Sequence, residues 1–216
     1  TNKSAADTFV IPSVSIASKV NENFYTGVGM WGTGGLGVDY RNATAATDTQ
    51  MEMVTSLQIM QFGVPLAYKM GNFSAAVTPL IQYGTLDINF DTNGSNNVGS
   101  GIGSDLEFGY NLGLSYTAGG ITLGAIYKSK IDMNYDGALR TAVQAMSPGY
   151  QNDTLSTPAE MGVGISYITG NHTIALDYKN IQWSDAMGYK DFGWEDQNVI
   201  AIGYEYTTKT WALRTG

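Results

Sequence analysis

Residues 157–183 read TPAEMGVGISYITGNHTIALDYKNIQW, two alternating runs joined by a tight turn at Thr169, Gly170 and Asn171. In the first run Met161, Val163, Ile165 and Tyr167 fall on one face, and Glu160, Gly162, Gly164 and Ser166 on the other. In the second run Ile174, Leu176 and Tyr178 share a face opposite Ala175, Asp177 and Lys179. A side-chain period of two marks strands of a sheet. Each run is about as long as the roughly 9–11 residues with which a strand crosses a bilayer. Tyr167 and His172 flank the turn and Tyr178 and Trp183 lie towards the far end, where a membrane barrel carries aromatic girdles. A hairpin of a soluble β-sandwich has the same local pattern, so the rest of the chain must decide.

The composition leans towards a membrane barrel. Charged residues make up 14% of the 216-residue chain, against roughly 25% in ordinary soluble domains. Glycine (27) and tyrosine (14) are abundant and cysteine is absent. No apolar run approaches the roughly 18 residues of a transmembrane helix. Low charge without a long apolar run fits strands that alternate between lipid and lumen. A net charge of −8 argues against nucleic acid as a partner. No signal peptide is visible at Thr1.

In chain order, residues 9–20 form the first expected strand, weakened by Pro12, which cannot donate to a ladder. Residues 24–33 form the second, which then breaks into a glycine run with Gly34, Gly35 and Gly37. Residues 38–50 read as a polar loop. Residues 51–70 form a long strand in which Met51, Met53, Leu57 and Ile59 lie on the Gln61 face, opposite Phe62 and Tyr68. Apolar residues on both faces imply either burial on both sides or a greasy lumen at that height. Residues 73–90 show Phe73, Ala75, Val77, Pro79, Ile81 and Tyr83 on one face. Leu86, Ile88 and Phe90 are expected to continue that face after a bulge. Residues 91–104 read as a polar loop.

Residues 106–117 give the cleanest alternation: Leu106, Phe108, Tyr110, Leu112, Leu114 and Tyr116 oppose Glu107, Gly109, Asn111, Gly113, Ser115 and Thr117. The next strand, 121–135, has Ile121, Leu123, Ala125, Tyr127 and Ile131 on one face. The insertion that follows contains a short amphipathic helix over 138–146, with apolar residues at helical spacing. It either catches ligand at the outer mouth or caps the barrel. Residues 197–207 form another strand, and a tenth begins at Thr210.

Tight turns near residues 21, 71, 119, 170 and 209 alternate with long connections near 34–50, 91–104, 136–156 and 185–196. Short periplasmic turns and long external loops are the pattern of an up-and-down antiparallel barrel in an outer membrane. A Greek-key sandwich has no reason to sort loop length by end. The fold class is therefore all-β, a transmembrane up-and-down antiparallel β-barrel with about ten strands in residues 1–216. Because an open sheet edge is not tolerated in lipid, the chain is expected to be an internal piece of a longer protein.

Four stretches resemble the FadL/TodX outer-membrane transporters: residues 9–42, residues 109–137, the hairpin 157–186, and 199–216 with its W-x-x-R-x-G. They keep order and spacing over nearly the whole chain. The resemblance implies a barrel of about fourteen strands, plugged by an N-terminal hatch, in the bacterial outer membrane. It would carry fatty acids or aromatic and aliphatic hydrocarbons by passive diffusion, with lateral release into the membrane at a kinked strand. This chain would then be a single partial barrel domain without the hatch, the first strand and the last strands. Gly32, Gly34, Gly35 and Gly37 would lie at the kink. A basic residue that helps hold a carboxylate in the family is replaced near Glu195, which favours an uncharged ligand. The external loop 91–104 is shorter than the helical loop of the fatty acid transporter.

Met51, Met53, Leu57 and Ile59 are the ligand-path candidates, methionine being adaptable to varied ligands; packing against a hatch is the alternative. Lys128, Lys130, Asp132, Asp177, Lys179 and Arg214 share the lumenal face and are expected to form ion pairs rather than a substrate site. His172 is the only histidine. It stands at a short turn on the lipid-facing side, which argues against a barrel enzyme working through histidine. No cysteine and histidine cluster offers a metal site. A general diffusion porin is the main alternative, although porins line the lumen with more charge. No cofactor is expected. The expected partners are hydrophobic small molecules and outer-membrane lipid around a monomeric barrel.

Overall fold

The computed structural model describes residues 3–41, 51–92 and 97–216. In chain order the strands are β1 (Ser13–Lys19), β2 (Phe24–Asp39), β3 (Val54–Gly63), β4 (Leu66–Met70), β5 (Phe73–Asp91), β6 (Asn97–Val98) and β7 (Gly103–Ala118). Then come β8 (Ile121–Lys128), β9 (Ile131–Asn134), helix α1 (Ala138–Gln144), β10 (Thr154–Thr157), β11 (Glu160–Thr169), β12 (His172–Ile181), β13 (Gln197–Thr207) and β14 (Ala212–Thr215). The main sheet runs β1-β2-β3-β5-β7-β8-β11-β12-β13-β14, and every neighbouring pair is antiparallel. This is the expected up-and-down meander. β4 extends β3 past Pro65 and pairs with β2 and β5. Among the described residues β1 pairs only with β2 and β14 only with β13, so these strands leave the sheet open along one seam.

Short turns close one end and long connections the other. Gly71, Gly119 and Gly170 each take a φ of 58° in the tight turns, a conformation that costs a residue with a Cβ. The opening hairpin pairs as its pattern requires, with Tyr167 opposite Ile174, Ile165 opposite Leu176 and Val163 opposite Tyr178. Along β7 the six large side chains from Leu106 to Tyr116 are all exposed on the outer face. A contiguous apolar face of this size would aggregate in water and is stable in lipid. At the short-turn end His172, Tyr204, Tyr206 and Trp211 form an aromatic group. The ring centroid of His172 lies 5.0 Å from that of Tyr206, and Tyr206 lies 5.6 Å from Trp211.

Several local expectations are corrected. β1 begins at Ser13, after Pro12, because proline cannot enter the ladder with a donor. β2 does not end at the glycine run. Its pairing with β3 continues to Asp39, with a register shift between Gly32 and Gly34. The long strand starts at Val54, and Val64 and Pro65 divide it. Most of the loop expected over 38–50 and part of that over 91–104 fall outside the described residues.

β5 carries no bulge. It pairs without a register shift from Leu80 to Asn89 against β3 and from Phe73 to Leu86 against β7. Leu86, Ile88 and Phe90 therefore face inwards, and Leu86 and Phe90 are buried. Nor does the strand after Ile121 continue along the wall. It stops at Lys128, and β9 folds inwards to pair with β10 as a separate ribbon. Ile131 is buried rather than lipid-facing. The wall makes room for the ribbon at glycines. A Cβ on Gly109 would sit 2.5 Å from Ile131 Cδ1, and one on Gly84 2.6 Å from the Tyr135 hydroxyl.

The result is an apolar core inside the wall near the long-loop end. Leu57, Leu80 and Leu86 from the wall pack with Ile131, Met133, Tyr135, Ala138 and Leu139 from the insertion. Each large aliphatic side chain buried there contributes about 1.5–3 kcal/mol. The predicted helix is present as α1, with Ala138, Leu139 and Ala142 buried, so its apolar face closes the core. Its N-terminus is capped from a distance: the buried Asp153 carboxylate accepts hydrogen bonds from the Gly137 N–H and, at 3.0 Å, the Arg140 N–H. These satisfy two donors that a helix start otherwise leaves free. Asp153→Ala should lower the local stability of α1 by about 1–2 kcal/mol. Faster amide hydrogen exchange over residues 138–144, with β11 and β12 unchanged, is the expected signature.

Candidate functional site

Between this core and the wall lies a cavity of about 460 Å3. Its apolar lining comes from Trp31 and Leu36 of β2, Leu57 and Ile59 of β3, Leu155 of β10, and Ile181 and Trp183 at the end of β12. In a flat sheet β2 and β12 would stand six strand spacings apart, about 29 Å. They line one cavity because the wall curves around the inward ribbon.

The β2 bulge sets which side chains enter this cavity. Before it, Trp31 lies opposite Gln61; after it, Leu36 lies opposite Leu57. The extra residue, Thr33, reverses the alternation, as a bulge does, so that the even-numbered Leu36 joins the odd-numbered Trp31 on the inner face. The same place interrupts the wall. β1 stops pairing with β2 at Trp31, one further bond joins the Gly32 N–H to the Pro12 carbonyl, and the next backbone bond between the two segments among the described residues runs from the Ala5 N–H to the Asp39 carbonyl.

A second cavity of about 320 Å3 lies outside this interruption, bounded by Phe9, Ile11, Gly35, Gln58 and Met60. Gly32, Gly34 and Ile59 line both cavities. At this point the wall between inside and outside is two glycines and one isoleucine thick. Ile11 leans over it: a Cβ on Gly32 would sit 2.6 Å from Ile11 Cγ2, and one on Gly35 3.7 Å from Ile11 Cγ1. Gly37 is held by the wall itself, since a Cβ there would lie 2.1 Å from the Thr55 carbonyl oxygen.

The expected path residues separate into two pairs. Leu57 and Ile59 line the inner cavity. Met51 and Met53 precede β3, where the Met51 carbonyl accepts from the Asp91 N–H and the Met53 carbonyl from the Tyr40 N–H. Of the six charges expected to pair, five do so and Asp177 is in no ion pair among the described residues: Glu160 Oε2 lies 3.2 Å from the ammonium nitrogens of both Lys128 and Lys179, and Lys130 lies 3.3 Å from Asp132. Arg214 pairs with Glu205. A further depression of about 470 Å3, lined by small residues such as Gly124, Gly162 and Gly164, lies against β8, β11, β12 and β13 alone. It is the concavity of the wall rather than an enclosed site. His172 Nδ1 is 2.7 Å from the Tyr204 hydroxyl on the outer face, away from the cavity. Among the described residues no three His, Cys, Asp or Glu are grouped to hold a metal ion.

Sequence reasoning missed the aromatic and loop parts of the site. Trp183, Tyr189 and Trp194 form a cluster at the long-loop end with ring centroids 4.6–4.9 Å apart, and Trp183 and Tyr189 reach the cavity. Burial pushes the Tyr189 hydroxyl pKa up, so it stays neutral. The loop is pinned by Asp196, whose carboxylate accepts from the Ser184 N–H at 3.0 Å and the Ser184 hydroxyl at 2.7 Å. Those bonds hold its pKa below the usual carboxylate value. A second tie joins the loops: the Tyr150 hydroxyl and the Asn152 amide each donate to Asp191 at 2.9 Å. The clustering of aromatics after residue 182 was the available signal.

Comparison with solved structures finds the same fold in outer-membrane transporters. The chain superposes on a Pseudomonas aeruginosa FadL homologue with a TM-score of 0.67 and 15% identity, covering 94% of this chain and 58% of that one. For the Ralstonia pickettii toluene transporter TbuX the TM-score is 0.69, the identity 16% and the coverage 94% and 67%. For the P. putida toluene transporter TodX the values are 0.65, 15%, and 95% and 65%. The chain thus spans between 58% and 67% of the length of these structures. No curated protein sequence matches it. The model of the outer membrane protein transport protein family (OMPP1/FadL/TodX) matches residues 1–216, and with that match over the whole wall, bulge and inner ribbon, the chain belongs to this family of the bacterial outer membrane.

Proposed function

We propose that this chain supplies wall, inner cavity and side outlet for the passive movement of small hydrophobic compounds across the outer membrane. The observation that carries the reading is the sharing of Gly32, Gly34 and Ile59 between the inner cavity and the cavity outside β2. A solute enters at the long-loop end, past Met51 and Met53 and the Trp183 cluster. It settles against Trp31, Leu36, Leu57 and Ile59, then leaves sideways between Gly32 and Gly35 into the surrounding lipid. The route works because an apolar solute crosses the polar outer leaflet poorly and the acyl layer easily. No energy source is needed, since the solute moves from water to hydrocarbon at every step.

The lining favours an uncharged apolar solute, a monoaromatic or other hydrocarbon. The large side chains of the lining are aromatic and aliphatic, Trp31, Leu36, Leu57, Ile59, Leu155, Ile181 and Trp183, with neutral polar groups such as Gln61, Asn111 and Thr157 between them, and Glu160 offsets part of the charge of Lys128 and Lys179. Two of the structural relatives are described as toluene transporters. The protein would act as a monomer with membrane lipid as the receiving phase. A general porin is the competing reading, and it requires an open aqueous path, which the inner ribbon and α1 obstruct.

Gly34→Leu places a branched side chain at the shared wall, where its Cβ alone would stand 3.4 Å from Ile59 Cδ1. Cells carrying it should take up radiolabelled toluene or a long-chain fatty acid at roughly one-tenth of the wild-type rate or less, a barrier raised by about 1.4 kcal/mol. Unchanged uptake with a normally inserted protein would contradict the side outlet. Proteoliposomes of the natural protein should swell no faster in isotonic arabinose than protein-free vesicles; fast swelling would favour the porin.

A further inference from the structure

Two glutamines are buried in the apolar interior, Gln61 7% exposed and Gln82 fully enclosed. A buried amide is tolerated only when its donors and acceptor are paired. Here the pairing is a single line. The Trp31 indole N–H donates to Gln61 Oε1 at 2.9 Å, Gln61 Nε2 donates to Gln82 Oε1 at 2.8 Å, and Gln82 Nε2 donates to Thr157 Oγ1 at 2.9 Å.

The direction of the line follows from its first member. An indole nitrogen can only donate, so Gln61 must turn its oxygen to Trp31 and its amino group to Gln82. Gln82 must then offer its oxygen to Gln61 and its amino group to Thr157. Hydrogen bonds aligned this way polarise one another and hold or fail as a set. Trp31 is also fixed sterically, since a Cβ on Gly63 would lie 2.8 Å from its Cη2.

The two ends of the line stand at different parts of the site. Trp31 is the residue before Gly32, where the wall is interrupted. Thr157 is the last residue of β10, in the inward ribbon. Trp31, Gln61 and Thr157 all line the inner cavity. A solute that fills the cavity therefore touches both ends.

We propose that Gln61 and Gln82 are positioning residues that tie Trp31, beside the side outlet, to the inward ribbon at Thr157, so that displacement of the ribbon by a solute is transmitted to the wall at the bulge. The functional part rests on the reading of Gly32 and Gly34 as an outlet. The link itself does not.

The test uses the full-length protein in detergent with every tryptophan but Trp31 replaced by phenylalanine, and reads acrylamide quenching of Trp31. Thr157→Val removes the terminal acceptor at nearly constant volume and should raise the quenching constant severalfold. Thr157→Ser keeps the hydroxyl and should leave quenching near the parent value. No change in Thr157→Val, or an equal rise in Thr157→Ser, would overturn the proposal. Toluene uptake by Thr157→Val, in the background with all tryptophans, should fall. Normal uptake together with raised quenching would keep the link and refute its gating role. Unchanged uptake in Gly34→Leu would instead refute the outlet.

Discussion

Within hydrocarbon no water is available to satisfy a backbone N–H or C=O, so each must bond within the protein. A meander of antiparallel strands meets that demand strand by strand, and its two-residue period then assigns every side chain to lipid or to the interior. The outer face of β7, from Leu106 to Tyr116, and the faces of β11 and β12 follow from this constraint. So does the separation of the two ends: glycine turns at Gly71, Gly119 and Gly170 close one rim, and the long connections have free space at the other. What would be an inverted protein in water is the stable arrangement in a bilayer.

The interior departs from that scheme near the long-loop end. The lumen there is filled by a ribbon and a helix whose apolar faces meet Leu57, Leu80 and Leu86 of the wall. Under the function proposed above, an apolar interior and an interrupted wall at the same height give an apolar solute its path from loop to lipid. Among the polar groups inside, Gln61 and Gln82 with Trp31 and Thr157 are tolerated because they are bonded in line. Lys128, Glu160 and Lys179 neutralise one another in part at the cavity edge.

The sequence made the wall legible because both of its signals are local. Alternation identifies the strands, and short turns opposed to long connections identify their order. The family was legible from four weak stretches kept in order. The interior was not legible, for physical reasons. Leu86, Ile88 and Phe90 change parity relative to Tyr83, which by alternation alone reads as a bulge; the strand is regular and the interior there is apolar. The turn inwards after Lys128 has no local mark, since Ile131 keeps the period of the wall. It is set by tertiary partners, Ser129 bonded twice to Tyr110 and Ile131 seated over Gly109. The glycine run of β2 read as a break, whereas pairing with β3 carries the strand through it. Gln61 and Gln82 are directly opposed on β3 and β5, but that both are buried and bonded in line with Trp31 and Thr157 depends on the inward ribbon.

The most direct test of the account asks which face of the wall meets lipid. These 216 residues contain no cysteine, so single cysteines can be placed one at a time from Leu106 to Thr117, in a full-length protein free of other cysteines, and carry a nitroxide label in reconstituted membranes. Collision with oxygen, which concentrates in lipid, should peak at Leu106, Phe108, Tyr110, Leu112, Leu114 and Tyr116. Collision with a water-soluble nickel chelate should be low at those positions. A profile without a two-residue period, or one in which those six labels meet the chelate and not oxygen, would contradict it.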